Sequence, residues 1–165
     1  MRGRLQRQNV TVLRTGSHNH KGRTEEEGRE KYGEPAEILP GLFLGSAYNA
    51  RHAELLQRLQ IEKVLCVAEE ERSSPECERI NVRDDVDALE PMLQAAQWIK
   101  EHRHQRVLVH CLHGKSRSAG AVITYLCKYE GHSYEQALQF VKEKRPIVSP
   151  NQFIHQVLLK LNNKG

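Results

Sequence analysis

The sequence predicts a single α/β domain built on a central, mostly parallel sheet flanked by helices. Three observations carry this. From about residue 35 onward, short β-rich apolar runs alternate with segments whose apolar residues recur at helical spacing. A run of helical segments then closes the chain. The chain of 165 residues has room for one hydrophobic core and little more.

The elements follow in order. Residues 1–34 are rich in Arg, Gly, Glu, His, Asn and Thr with scattered apolar residues, so they read as a flexible tail. The patterned domain is expected over 35–162. Pro40-Gly41 separates Ile38-Leu39 from Leu42–Leu44, a hairpin signal. Ser46 is placed to cap a helix carrying Leu55, Leu56 and Leu59 on its inner face. "IEKVLCVA" and "RINV" read as strands, with a Glu-, Ser- and Pro-containing loop between them. Leu89, Met92, Leu93, Ala96 and Ile99 mark a helix ending near His102, and "RVLVH" is the clearest strand. Three helices are predicted after it, over Ser116–Tyr129, Ser133–Glu143 and Asn151–Leu161, with Gly131 and Pro146 at the breaks.

Composition narrows the function. No apolar run approaches the ~20 residues of a membrane span. The basic start "MRGRLQRQNV" lacks the apolar middle of a secretory signal, so a cytoplasmic or nuclear location is expected. A net charge of +4 and a pI near 8.9 suit an acidic or phosphorylated partner, and fall short of the dense basic stripe of a DNA binder. Cys66, Cys77, Cys111 and Cys127 show no zinc-site spacing, so free thiols and no metal are expected.

The chemistry concentrates in "VLVHCLHGKSRSAG" (107–120). A strand that ends in a loop opening directly into a helix aims backbone N–H groups and the helix dipole at one point, which favours an anion. Gly114 permits the tight turn and a close approach of the backbone to a ligand. Arg117, on the first helical turn, can hold two phosphate oxygens with its planar fork. Cys111 stands at the mouth of this phosphate loop, where the helix N-terminus and a guanidinium favour the thiolate. A thiolate beside bound phosphate points to attack on phosphorus and a cysteinyl-phosphate intermediate. The Walker-type nucleotide loop is excluded, because Val109 occupies the place of its first glycine.

His-Cys, five residues, then Arg-Ser resembles the signature of the cysteine-dependent protein tyrosine phosphatases. "GKSRS", together with "ILPGLFLGSAYNA", "RVLVHC" and "ITYLCKYEGHSYEQALQFVKEKRP", resembles the dual-specificity branch over most of residues 35–161. That resemblance implies the family's fold and assigns roles. Cys111 is the nucleophile and Arg117 binds the phosphoryl group and its transition state. The amides of Leu112, His113, Gly114, Lys115, Ser116 and Arg117 line the loop. Ser118 supports the departing thiolate and His110 orients the loop. The general acid is an upstream aspartate in an I-x-x-x-D pattern, which selects Asp84 in "INVRDD", with Asp85 and Asp87 as its rivals. Asn151 is expected to brace the site through hydrogen bonds. The implied enzyme is a monomeric dual-specificity phosphatase without cofactor or metal, acting through a shallow cleft on phosphotyrosine and phosphoserine/threonine. Its partner is a phosphorylated protein, with protein kinases among the candidates.

Two alternatives stay open. His113 resembles the "HCTHG" of RNA 5′-triphosphatases and Lys115 the "GKGR" of phosphoinositide phosphatases. The simpler reading turns both side chains to solvent, where they only raise the local potential. A non-catalytic phosphoprotein-binding module on the same fold is the other alternative. Cys66 and Cys127 read as core thiols, with Cys66 also a candidate disulfide partner for Cys111, and Cys77 reads as a bystander.

Overall fold

The computed structural model describes residues 24–69, 77–83 and 88–164. The chain runs α1 (Glu25–Tyr32), β1 (Ala36–Leu39), β2 (Leu42–Gly45), α2 (Ala47–Ala50), α3 (Ala53–Arg58), β3 (Lys63–Cys66), β4 (Glu78–Arg79), α4 (Leu89–Glu101), β5 (Val107–His110), α5 (Arg117–Tyr129), α6 (Tyr134–Lys144) and α7 (Gln152–Lys164). The strands form one sheet in the order β1-β2-β5-β3-β4. Among the described residues only the β1–β2 hairpin is antiparallel, so the sheet is mostly parallel, as the alternation of elements predicts.

β5 lies at the centre, parallel to both neighbours, and all four of its residues are buried. Its side chains divide between the two faces of the sheet, as the two-residue period of a strand requires. Val107 and Val109 join Leu42, Leu44 and Leu65 in the main core under α4, α5, α6 and α7. Leu108 joins Phe43, Leu56, Ile61 and Val64 on the opposite face. A strand covered on both faces reads as a continuous apolar run, which is why "VLV" stood out in the sequence. α5 is buried from Arg117 to Leu126, and Gly120 lets α7 approach closely, since a Cβ there would sit 2.7 Å from Ile154.

Three expectations change. Ser46 caps only the four-residue α2, through a capping box with Asn49, and Leu55 and Leu56 lie on the separate α3. The ladder in the "RINV" region covers Glu78–Arg79, with the Ile80 N–H adding one more bond to the Cys66 carbonyl. Part of the expected tail forms helix α1 (Glu25–Tyr32), started by a Thr24/Glu27 capping box.

That helix is held by polar ties, which composition cannot reveal, and by the buried ring of Tyr32 beside Ala47, Tyr48 and Leu112. Arg51 forms a bidentate ion pair with Glu25, and Asn49 donates to the Gly33 carbonyl at 3.0 Å. Gly28 lies against the Tyr48 ring, where a Cβ would come within 2.3 Å. Residues 1–23 lie outside the described residues.

Candidate active site

β2, β3 and β5 end level with one another, since Gly45 and Cys66 both pair with His110. The chain leaves β5 there, at the carboxyl edge where parallel sheets place ligands. Residues 111–116 loop over this edge and Arg117 opens α5. Gly114 takes φ +72°, and a Cβ there would stand 2.5 Å from the Gly45 carbonyl oxygen. The turn therefore needs glycine both for its backbone angle and for the space.

Four successive carbonyls of the loop are drawn toward the scaffold. Leu112 O accepts from the Ala47 N–H at 2.9 Å, and Lys115 O from the Ser149 N–H at 2.8 Å. His113 O and Gly114 O both accept from the Arg145 guanidinium, at 3.0 Å each. A trans peptide aims its N–H opposite to its C=O. With these carbonyls held on the scaffold, the amides of residues 113–116 project the other way, an arrangement that suits an anion.

Cys111 is nearly buried, at 3% exposure. Its Sγ accepts the Ser118 N–H at 3.4 Å and lies 3.1 Å from the Ser118 hydroxyl. Arg117 is buried at the first position of α5 and donates to the Val82 carbonyl at 3.4 Å. This contact brings the segment just upstream of Asp84 against the loop. Asp84 and Asp85 themselves lie outside the described residues.

His110 is fully buried, and its Nδ1 lies 2.9 Å from the Cys111 carbonyl. A carbonyl only accepts, so Nδ1 carries the proton. Burial lowers the imidazole's pKa to about 4, with help from the Arg51 and Arg79 charges and against the pull of the carbonyl bond. The ring is therefore neutral, and Nε2 has no hydrogen-bond partner among the described residues.

Ser116 and Asn151 join the loop to α7. The Asn151 N–H donates to Ser116 Oγ at 2.9 Å, while Asn151 Oδ1 accepts the Ile154 N–H at 2.9 Å and caps the helix. Lys115 is exposed. His113 is half-buried and its ring stacks on Tyr32 with centroids 4.2 Å apart, so its side chain does not simply face solvent. Cys66 packs with Ala68 and Cys111 in one small cluster, and Cys77 borders it.

Arg145 is the residue that sequence reasoning missed. Besides the two loop carbonyls, its guanidinium donates to Tyr32 O at 2.9 Å and Glu34 O at 2.8 Å. Burial lowers its pKa to about 10, partly offset by its attraction to Cys111, so it stays charged at neutral pH. Its only advance signal was an arginine before Pro146, where a surface cation is the ordinary reading.

Comparison with known proteins bears on the same residues. A family model described as the dual specificity phosphatase catalytic domain matches residues 42–163. Rat protein phosphatase Slingshot homolog 3 is 40% identical over 122 residues, covering 69% of this chain and 19% of that protein. Human dual specificity protein phosphatase 4 is 36% identical over 135 residues, covering 76% of this chain and 34% of that protein. The chain thus spans about a fifth to a third of these relatives' length. The crystal structure of human DUSP28 superposes with a TM-score of 0.73 at 29% identity, covering 79% of this chain and 93% of that one. With this sheet, this loop and a match across most of its length, the chain belongs to the dual specificity phosphatase family.

Proposed function

We propose that the protein hydrolyses phosphomonoesters on tyrosine and on serine or threonine of phosphoproteins, through a cysteinyl-phosphate intermediate. The observation that carries this reading is the sulfur of Cys111, held by both the N–H and the hydroxyl of Ser118 beside a loop whose carbonyls face away. Cys111 Sγ attacks phosphorus as the thiolate, forming the P–S bond as the P–O bond to the leaving alcohol breaks. Asp84 gives its proton to that oxygen. The loop amides and Arg117 stabilise the charge on the equatorial oxygens. In the second step water attacks phosphorus, Asp84 takes its proton, and the P–S bond breaks to restore the thiolate. The close approach of Val82, two residues before Asp84, to Arg117 supports this placement of the acid.

The "GKSRS" run and the match to the dual specificity phosphatase domain favour the phosphoprotein reading over a polyphosphate or inositol substrate. The test compares wild type and Cys111→Ser on phosphotyrosine and phosphothreonine peptides, 5′-triphosphate RNA and phosphoinositides. The expected result is turnover of both phosphopeptides, abolished in Cys111→Ser with inorganic phosphate still bound. Near-normal turnover by Cys111→Ser would refute the mechanism, and faster turnover of RNA or lipid would reassign the substrate.

A further inference from the structure

We infer that helix α1 and Arg145 are positioning elements of the phosphate loop, so that the site extends to residues upstream of the family-matched segment 42–163. The inference rests on the phosphate-binding reading of the loop.

Arg145 is 3% exposed, and the four hydrogen bonds from its guanidinium all go to backbone carbonyls. Two belong to the loop and two to the end of α1 and the residues after it. A planar guanidinium presents several N–H groups at fixed angles, so it fixes the relative placement of the peptide groups it joins. Here it holds the His113 and Gly114 carbonyls on the scaffold side, which commits the amides of Gly114 and Lys115 to the opposite side. Its anchor on that scaffold is α1, through Tyr32 O and Glu34 O.

A second contact ties the same two parts together. The Tyr32 ring stacks on His113 of the loop and on Tyr48 of α2, at centroid distances of 4.2 and 5.9 Å and within 13° of parallel. Tyr32 therefore touches the loop through its ring and, by way of Arg145, through its carbonyl. α1 is seated independently by the Glu25–Arg51 ion pair and the Asn49–Gly33 bond. The loop is thus braced on a helix that has anchors of its own besides those to the loop.

The test uses the full chain carrying Arg145→Lys or Tyr32→Leu. Lysine keeps the charge but cannot span four carbonyls, while leucine removes the stack and leaves the Tyr32 carbonyl in place. Inorganic phosphate binding is read by its protection of Cys111 from iodoacetate, which needs no turnover, and kcat and KM for p-nitrophenyl phosphate are measured separately. For Arg145→Lys the phosphate Kd and KM should rise at least about tenfold, the order expected from losing charge-assisted hydrogen bonds. For Tyr32→Leu the rise should be about threefold, as expected of an aromatic pair. Both effects should appear with cooperative thermal unfolding retained.

Unchanged Kd and KM in a folded Arg145→Lys protein would overturn the inference. If Arg145→Lys does not fold, Tyr32→Leu decides, and an unchanged Kd there has the same consequence. A wild type that binds phosphate without hydrolysing p-nitrophenyl phosphate would refute the phosphatase reading alone. The protection assay would still measure the brace.

Discussion

Ser118 holds the Cys111 sulfur twice, with its N–H at 3.4 Å and its hydroxyl at 3.1 Å. The N–H is fixed by the helix, but the hydroxyl can rotate to donate whenever negative charge returns to sulfur. Ser118→Ala should therefore slow the second chemical step more than the first. A hydrogen bond to a charged group contributes about 1.5–3 kcal/mol, so kcat should fall roughly 10- to 100-fold. Stopped-flow hydrolysis of p-nitrophenyl phosphate should show a burst of product followed by a slow steady rate. Equal slowing of burst and steady phases would remove the assignment.

Asp84→Ala should lower kcat about 10²–10⁴-fold, the span of a general acid. Because the acid must be protonated in the first step, the same change should flatten the alkaline limb of the kcat/KM profile. Asp85→Ala should keep that limb. If Asp85→Ala flattens it instead, the roles of the two aspartates are exchanged.

His110 gives a pH dependence of stability. Its folded pKa, lowered to about 4, lies below the ordinary histidine value of 6.5. Between those values the unfolded chain binds a proton that the native protein does not. Stability is therefore fully present above pH 6.5 and falls as pH drops toward 4, by on the order of 3 kcal/mol. Denaturant titrations across this range should show the slope, and His110→Asn should reduce it.

Gly114→Ala combines a positive φ with a Cβ 2.5 Å from the Gly45 carbonyl oxygen. The cost should be about 1–3 kcal/mol, with phosphate affinity falling as the loop shifts. Thermal melts and the iodoacetate protection assay measure the two effects. An alanine variant with native Tm and affinity would show that the loop tolerates the change.

Cys66 and Cys111 share one small buried cluster, so oxidation is predicted to join them in an internal disulfide. Peroxide converts the Cys111 thiolate to a sulfenic acid, and attack by Cys66 sulfur releases water and forms the S–S bond. Peptide mapping after peroxide should find Cys66 joined to Cys111, and dithiothreitol should restore activity. Recovery of Cys111 only as sulfinic or sulfonic acid would exclude the link, and a Cys77–Cys111 link would move the role to Cys77.

The sequence by itself marked out the Cys111–Ser118 loop and the frame that carries it. A strand buried on both faces announced itself as "VLVH", and helical spacing marked α4 to α7. The run from Cys111 to Ser118 is contiguous, so the thiol, the guanidinium and the hydroxyl could be read together. These signals are local, and local propensity and spacing express them. Only the tertiary structure decided how the loop is braced. Glu34 and Arg145 stand 111 positions apart, and the bond between them uses a backbone carbonyl that every residue possesses. No side-chain pattern records such a bond. For the same reason "EEEGREKY" read as tail, because α1 is docked by an ion pair, an amide, a glycine contact and the single ring of Tyr32 rather than by a repeating apolar face. The protonated nitrogen of His110 was likewise decided by which oxygen the fold set beside it.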